Sequence, residues 1–183
     1  MNSIDTFPAM IDPPKLLFYK GNIDLINKYC IAIIGTRKPS QRGIDKTIEI
    51  VLNYSMQAAH ENKELCIISG LAMGIDITAH IAALKFNIPT IAVLPNPVNH
   101  IYPSRHTEIA FDIVSRGGLL LSEHNTIANQ QEIIPRLMLR NRIVTGIASL
   151  IIPVEYNHLK SGTLNAVKYA QQQNKTIVHP DLF

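Results

Sequence analysis

A chain of 183 residues fits one domain, able to bury about 70% of its extended surface. With 46% hydrophobic and 17% charged residues, and no biased tract, it is neither disordered nor fibrous. Its net charge is only +3, so a nucleic-acid role has to rest on clustering of basic residues rather than on the total. Cys30 and Cys66 sit in or beside apolar runs without CxxC or His/Cys spacing, and read as buried thiols in a reducing compartment. The first 14 residues lack the basic and apolar regions of a signal peptide, and no apolar run approaches the roughly 18 residues that span a bilayer; a cytoplasmic protein without membrane contact is expected.

Residues 1–29 read as a lead-in packed on the core. It is punctuated by Pro8, Pro13 and Pro14, with a short extended stretch at Leu16–Tyr19 and a short helix that Asp24 could cap. From residue 30 to 183, apolar runs of strand length alternate with segments of helical spacing. The strands are expected at Ile31–Ile34, Leu65–Ser69, Pro89–Leu94, Leu119–Ser122, Leu150–Val154 and Thr176–Val178. The helices are expected at about 43–62, 75–86, 104–116, 136–146 and 161–173, the first presenting Ile44, Ile48, Val51, Leu52 and Met56 on one side. Continuous apolar strands are those covered on both faces, so the alternation predicts a single-domain α/β fold, doubly wound around a mostly parallel sheet.

In such a sheet, ligands bind beyond the carboxyl ends of the strands. Four segments on that edge carry suitable chemistry. Ser69-Gly70-Leu71-Ala72-Met73-Gly74-Ile75-Asp76 turns from a strand into a helix, where backbone N–H groups lack partners and suit an anion; it lacks the full G-x-G-x-x-G pattern, and Asp76 is equally a helix cap or a ligand group. Gly35-Thr36-Arg37-Lys38 offers a hydroxyl and two cations to a phosphate. Arg136, Arg140 and Arg142, with Asn141 between the last two, place three guanidiniums within seven residues, Arg136 and Arg140 at the spacing of one helix face. Lys160-Ser161-Gly162-Thr163 opens the last helix without the spacing of a P-loop. His80 has no partnering nucleophile and reads as packed or exposed, and the seven histidines form no zinc spacing, so neither a metal nor a cofactor is expected.

In order along the chain, Ile33-Ile34-Gly35-Thr36-Arg37, the Ser69–Asp76 loop with Ala79-His80, Ile101-Tyr102-Pro103, Leu121-Ser122-Glu123, Arg140-Asn141-Arg142-Ile143 and Ser161-Gly162-Thr163-Leu164 resemble the DprA/Smf family of DNA-processing proteins. The resemblance spans about residues 13–180. It implies an extended Rossmann-like domain that binds single-stranded DNA without strong sequence preference, forms homodimers, and delivers the RecA recombinase onto incoming strands in natural transformation, with no catalytic turnover. By the same resemblance, phosphates are expected at Arg37, at the backbone of Ser69, Gly70, Leu71 and Ala72, and in the basic region of Arg136 leading into Arg140, Asn141 and Arg142; the turn chemistry adds Gly35, Thr36 and Lys38, and Lys160, Ser161 and Gly162. N–H groups at helix starts together with guanidiniums would form a sequence-blind backbone track.

The chain departs from the family pattern in two places. Relatives commonly carry Gly-Cys-Gly-Leu-Asp where this chain has Pro95-Asn96-Pro97-Val98-Asn99, a stiffer loop. They often place an aromatic three residues before Arg-Asn-Arg, where Leu137 stands here; without that stacking surface, binding is expected to be weaker or to use another ring such as Tyr102. The helical domain before the core and the winged helix after it, found in many relatives, are expected to be missing. Two alternatives use the same kind of fold: a nucleotide-binding sensor, and a phosphoribohydrolase. The hydrolase motif requires a Glu after Gly-Gly-x-Gly-Thr, whereas Gly162-Thr163 is followed by Leu164, Asn165 and Ala166.

Overall fold

The apolar runs assemble into one sheet in the computed structural model, which describes residues 2–5, 8–156 and 161–180. Its strands are β1 (Asn2–Ile4), β2 (Leu17–Gly21), β3 (Tyr29–Gly35), β4 (Leu65–Ser69), β5 (Thr90–Val93), β6 (Leu119–Ser122), β7 (Leu150–Val154) and β8 (Thr176–Ile177). They lie in the order β1-β2-β6-β5-β4-β3-β7-β8. β3 to β8 are mutually parallel, while β1 and β2 add an antiparallel margin beside β6. The helices are α1 (Gln41–His60), α2 (Ile75–Lys85), α3 (Thr107–Ser115), α4 (Ile133–Leu139), α5 (Asn141–Ile147) and α6 (Gly162–Gln172). This is the expected doubly wound, mostly parallel α/β domain.

β3 shows why its sequence is apolar without interruption. Cys30, Ala32 and Ile34 face a cluster with Ile143, Val144, Ile147, Ala166 and Ala170 of α5 and α6. Ile31 and Ile33 face the opposite cluster with Ile50, Val51, Ile75 and Ala79 of α1 and α2. Each fully buried Ile is worth about 1.5–3 kcal/mol, so both faces reward the same residue type. From β3 the chain steps outward through β4, β5 and β6, then returns to place β7 on the other side of β3. The order therefore reverses between β3 and β7, and a crevice opens beyond their carboxyl ends.

Several expectations are corrected. The extended stretch expected at Leu16–Tyr19 is β2, but β1 before it was not expected, and the short turn of 3₁₀ helix at Ile23–Asn27 is capped by Asn22, whose side chain accepts from Asp24 N–H, rather than by Asp24. On α1 the buried residues are Gly43, Thr47, Ile50, Val51 and Ala58, while Leu52 and Met56 are exposed. Steps of four drift by about 40° each around a 3.6-residue helix, and Thr47 is tolerated inside because its hydroxyl donates to Gly43 O at 2.8 Å. The helix expected around 136–146 is two helices, α4 and α5, meeting at Arg140. Cys30 and Cys66 are both buried and free, paired in register on β3 and β4, and burial pushes the Cys66 thiol well up, away from reactivity.

Candidate nucleic-acid interface

Three glycines let the strand-end loops approach one another. A Cβ at Gly35 would overlap the Val154 carbonyl and the Ile75 side chain, and one at Gly74, which has φ +80°, would overlap the Thr36 carbonyl. Ile75 N–H then donates to Thr36 O at 3.1 Å, tying the start of α2 to the turn after β3. At Gly70 the missing side chain is replaced by the Arg140 guanidinium, which occupies the place a Cβ would need.

These approaches leave a cleft of about 430 Å³ at the switch point. Its floor is apolar, formed by Ile34, Ala72, Leu137, Met138 and Ala166, with the exposed Ile134 at its edge. Arg37, Asn141, Ser161, Gly162 and Thr163 supply polar atoms around it. Leu137, where an aromatic was expected in relatives, is 4% exposed and belongs to this floor. The stiff Pro95–Asn99 loop is largely buried elsewhere, with Asn96 Oδ1 accepting from Ala128 N–H at 2.9 Å.

Three helix starts lie on this edge of the sheet, those of α2 and α6 in the cleft, and they differ in what satisfies them. Ser40 caps α1 by accepting from Gly43 N–H at 3.1 Å, and a carboxylate from the end of β7 completes the site: Ser40 N–H lies 3.0 Å from both Glu155 oxygens, and Ser40 Oγ donates to Oε2 at 2.8 Å. At α2 the cap is Gly74, not Asp76; the Asp76 carboxylate turns back to accept from Gly70 N–H at 3.2 Å. At α6 Ser161 Oγ accepts from Leu164 N–H at 3.0 Å, and the N–H groups of Gly162 and Thr163 have no partner among the described residues. Among the described residues, the cap at the α6 start is a neutral hydroxyl, where α1 has a carboxylate.

The arginines do not form one basic face. Arg37 and Lys38 are exposed, and neither side chain has a hydrogen-bond or ion-pair partner among the described residues. Thr36 Oγ1 accepts from Lys38 N–H at 3.2 Å, which shapes the turn. Arg140 is 4% exposed and directed inward, donating to Val93 O at 2.8 Å and Leu137 O at 3.3 Å, with Asp76 Oδ2 at 3.7 Å. Burial pushes the Asp76 carboxyl up and the Arg140 guanidinium down despite their attraction, so desolvation outweighs the pairing at both groups. Arg142 is also buried, forked onto Glu123 at 2.7 and 3.2 Å, with Asp12 at 3.2 Å. Arg136 donates to Thr126 O at 2.6 Å and to Glu132 at 2.9 Å. The break between α4 and α5 sends Arg136 and Arg140 to different surroundings, although four residues separate them.

The remaining expected contacts divide similarly. Asn141 Nδ2 donates to Gly162 O at 3.1 Å and Asn165 Oδ1 at 2.9 Å, fixing the start of α6 against α5. Ser69 Oγ donates to Ile33 O at 2.6 Å, and Leu71 is wholly buried, so from that loop Ala72 reaches the cleft. Lys160 lies outside the described residues. His80 is a core residue: the Thr90 hydroxyl donates to Ile67 O at 2.8 Å and therefore accepts from His80 Nδ1–H at 2.8 Å. Burial, together with Arg140 and His106, lowers the His80 pKa from 6.5 to about 3. The sequence motifs did not mark Glu155; its signal was a single carboxylate immediately after an apolar strand on the ligand edge.

The DNA recombination-mediator protein A family model matches residues 5–181. The DNA processing protein DprA of Streptococcus pneumoniae is 36% identical over 166 residues, which are 91% of this chain and 55% of that protein. The X-ray structure of DprA from Streptococcus pneumoniae superposes with a TM-score of 0.80 at 31% identity, covering 93% of this chain and 56% of that one. A structure of DNA processing protein A from Helicobacter pylori, described for its single-stranded DNA binding mode, gives a TM-score of 0.81 at 27% identity, covering 97% of this chain and 79% of that one. The chain spans about half the length of the curated relatives it matches. With nearly every residue inside the family match, the chain belongs to the DNA recombination-mediator protein A family.

Proposed function

We propose that the chain binds single-stranded DNA by its phosphates, without base sequence preference, in the cleft between β3 and β7. One observation carries this reading: Arg37, exposed and with no side-chain partner among the described residues, shares the cleft with the start of α6 over an apolar floor. The guanidinium and the N–H groups of Gly162 and Thr163 supply backbone contacts, and the floor receives the apolar faces of unstacked bases. Of the expected phosphate set, Gly35 and Gly70 act by close packing, Arg140 and Arg142 by holding the frame, and Arg37, Lys38, Ala72, Ser161 and Gly162 by contact.

A binding protein rather than an enzyme is the reading, because no Glu follows Gly162-Thr163 where the phosphoribohydrolase motif needs one. By family membership we extend the proposal to cytoplasmic action in recombination and transformation, to a RecA-type recombinase as partner, and to a homodimer, with residues 30–183 forming the DNA-binding core. No described helix is long and apolar enough to cross a membrane.

The test is a titration of labelled oligothymidine and of a duplex of equal length, with mononucleotide as competitor. Tight binding of the single strand, weak binding of the duplex and steep loss with salt are expected. Binding of mononucleotide with no affinity for oligothymidine would contradict the reading and support a nucleotide sensor.

A further inference from the structure

We propose that Glu155 is the positioning residue of the phosphate site: its carboxylate stands in for an anion at the start of α1 and locks the turn that carries Arg37. The proposal rests on the single-stranded DNA reading and names what holds that site in shape.

Glu155 binds the turn by both its backbone and its side chain. Its carbonyl accepts from Thr36 N–H at 2.9 Å, and its carboxylate takes the N–H and hydroxyl of Ser40. Residues 36 and 40 are thus clamped to one residue, with Arg37 between them. Gly43 completes the seat, since a Cβ there would overlap Glu155 Oε2. Glu155 itself has φ +42°, a left-handed conformation that a non-glycine residue adopts at a cost of order 1–3 kcal/mol. The far side of the turn is held by Ile75 N–H on Thr36 O, so the Arg37 backbone is restrained from both neighbours.

Charge makes the arrangement informative. A carboxylate beside a polyanion site opposes binding by electrostatics alone, and removing it should then tighten binding. Positioning has the opposite sign, because a loosened turn no longer presents Arg37 to a phosphate. Glu155 also fills the α1 start, so an anion in the cleft does not compete for that helix end.

The experiment compares Glu155→Ala and Glu155→Gln with the parent chain, by anisotropy of labelled oligothymidine at several salt concentrations and by hydrogen exchange of residues 36–43 without DNA. Glu155→Ala is expected to weaken binding about fivefold to tenfold although it removes a negative charge. Its salt slope should fall by about 0.7, the share of one phosphate contact on a single strand. Glu155→Gln retains acceptor geometry at Ser40 N–H and should bind at least as tightly as the parent. In an Arg37→Ala background, Glu155→Ala should cost little further.

Faster exchange of residues 36–43 in Glu155→Ala, restored by Glu155→Gln, is the expected DNA-free result. Unchanged exchange, or binding by Glu155→Ala as tight as by Glu155→Gln, would overturn the proposal. Absence of oligothymidine binding by the parent chain would overturn the DNA reading instead, and the exchange comparison would still decide whether Glu155 positions the turn. If Glu155→Ala does not fold, Glu155→Asp shortens the side chain and reads the same exchange and binding outcomes.

Discussion

Arg37 and Arg140 border the same cleft and have opposite surroundings. Arg140 is buried, hydrogen-bonded to two carbonyls and set into the space vacated at Gly70, while Arg37 stands exposed with no protein partner among the described residues. An arginine whose donors are consumed by the fold shapes the site, and one whose donors are free can bind a ligand. Stability and binding should therefore separate between them.

The largest effect is expected at the buried member. Arg140→Ala leaves Asp76 unpaired in the interior and should cost about 3–5 kcal/mol in urea denaturation. Gly70→Ala should destabilise by a comparable route, because the new Cβ displaces the guanidinium. If Arg140→Ala unfolded at the parent's urea midpoint while losing DNA binding, the two arginines would not differ as described.

Acid acts on the same buried cluster. His80 is neutral in the fold, with its pKa lowered from 6.5 to about 3, so its contribution is fully present above pH 6.5 and is lost as pH falls toward 3. That window corresponds to about 5 kcal/mol at most. Asp76, whose pKa is raised by burial, works in the opposite direction on acidification, so the net loss is smaller. The difference in urea midpoint between the parent and His80→Gln, followed from pH 7 to pH 4, isolates the histidine. It should shift toward His80→Gln as pH falls, and a pH-independent difference would remove His80 from the acid response.

The smallest effect is expected on the cleft floor. Leu137→Phe adds a ring worth about 1–3 kcal/mol if it stacks on a base, offset by about 1–3 kcal/mol if it overpacks. We expect oligothymidine affinity to rise by less than tenfold with a slightly lower melting temperature. Unchanged affinity would mean that the bases run away from Leu137.

The strands were legible because burial on both faces leaves continuous apolar runs, and β4, β6 and β7 begin and end where those runs do. β1 was not, since three mostly exposed residues carry no pattern and pair through their backbone. The break between α4 and α5 leaves little trace either, because Arg140 itself keeps helical dihedrals, φ −61° and ψ −19°. At the site, the motifs located the loops but not the direction of each guanidinium. That direction was decided by Gly70, far away in sequence, and by Asp12 and Glu123, which take Arg142 away from the cleft.

The most direct test measures the salt dependence of oligothymidine binding for the parent and Arg37→Ala beside their urea midpoints. Arg37→Ala should keep the parent's midpoint, bind more weakly by about tenfold or more, as for loss of a charged hydrogen bond, and show a slope reduced by about 0.7. An Arg37→Ala chain with the parent's affinity and slope would contradict the claim that strand phosphates meet the protein at this cleft.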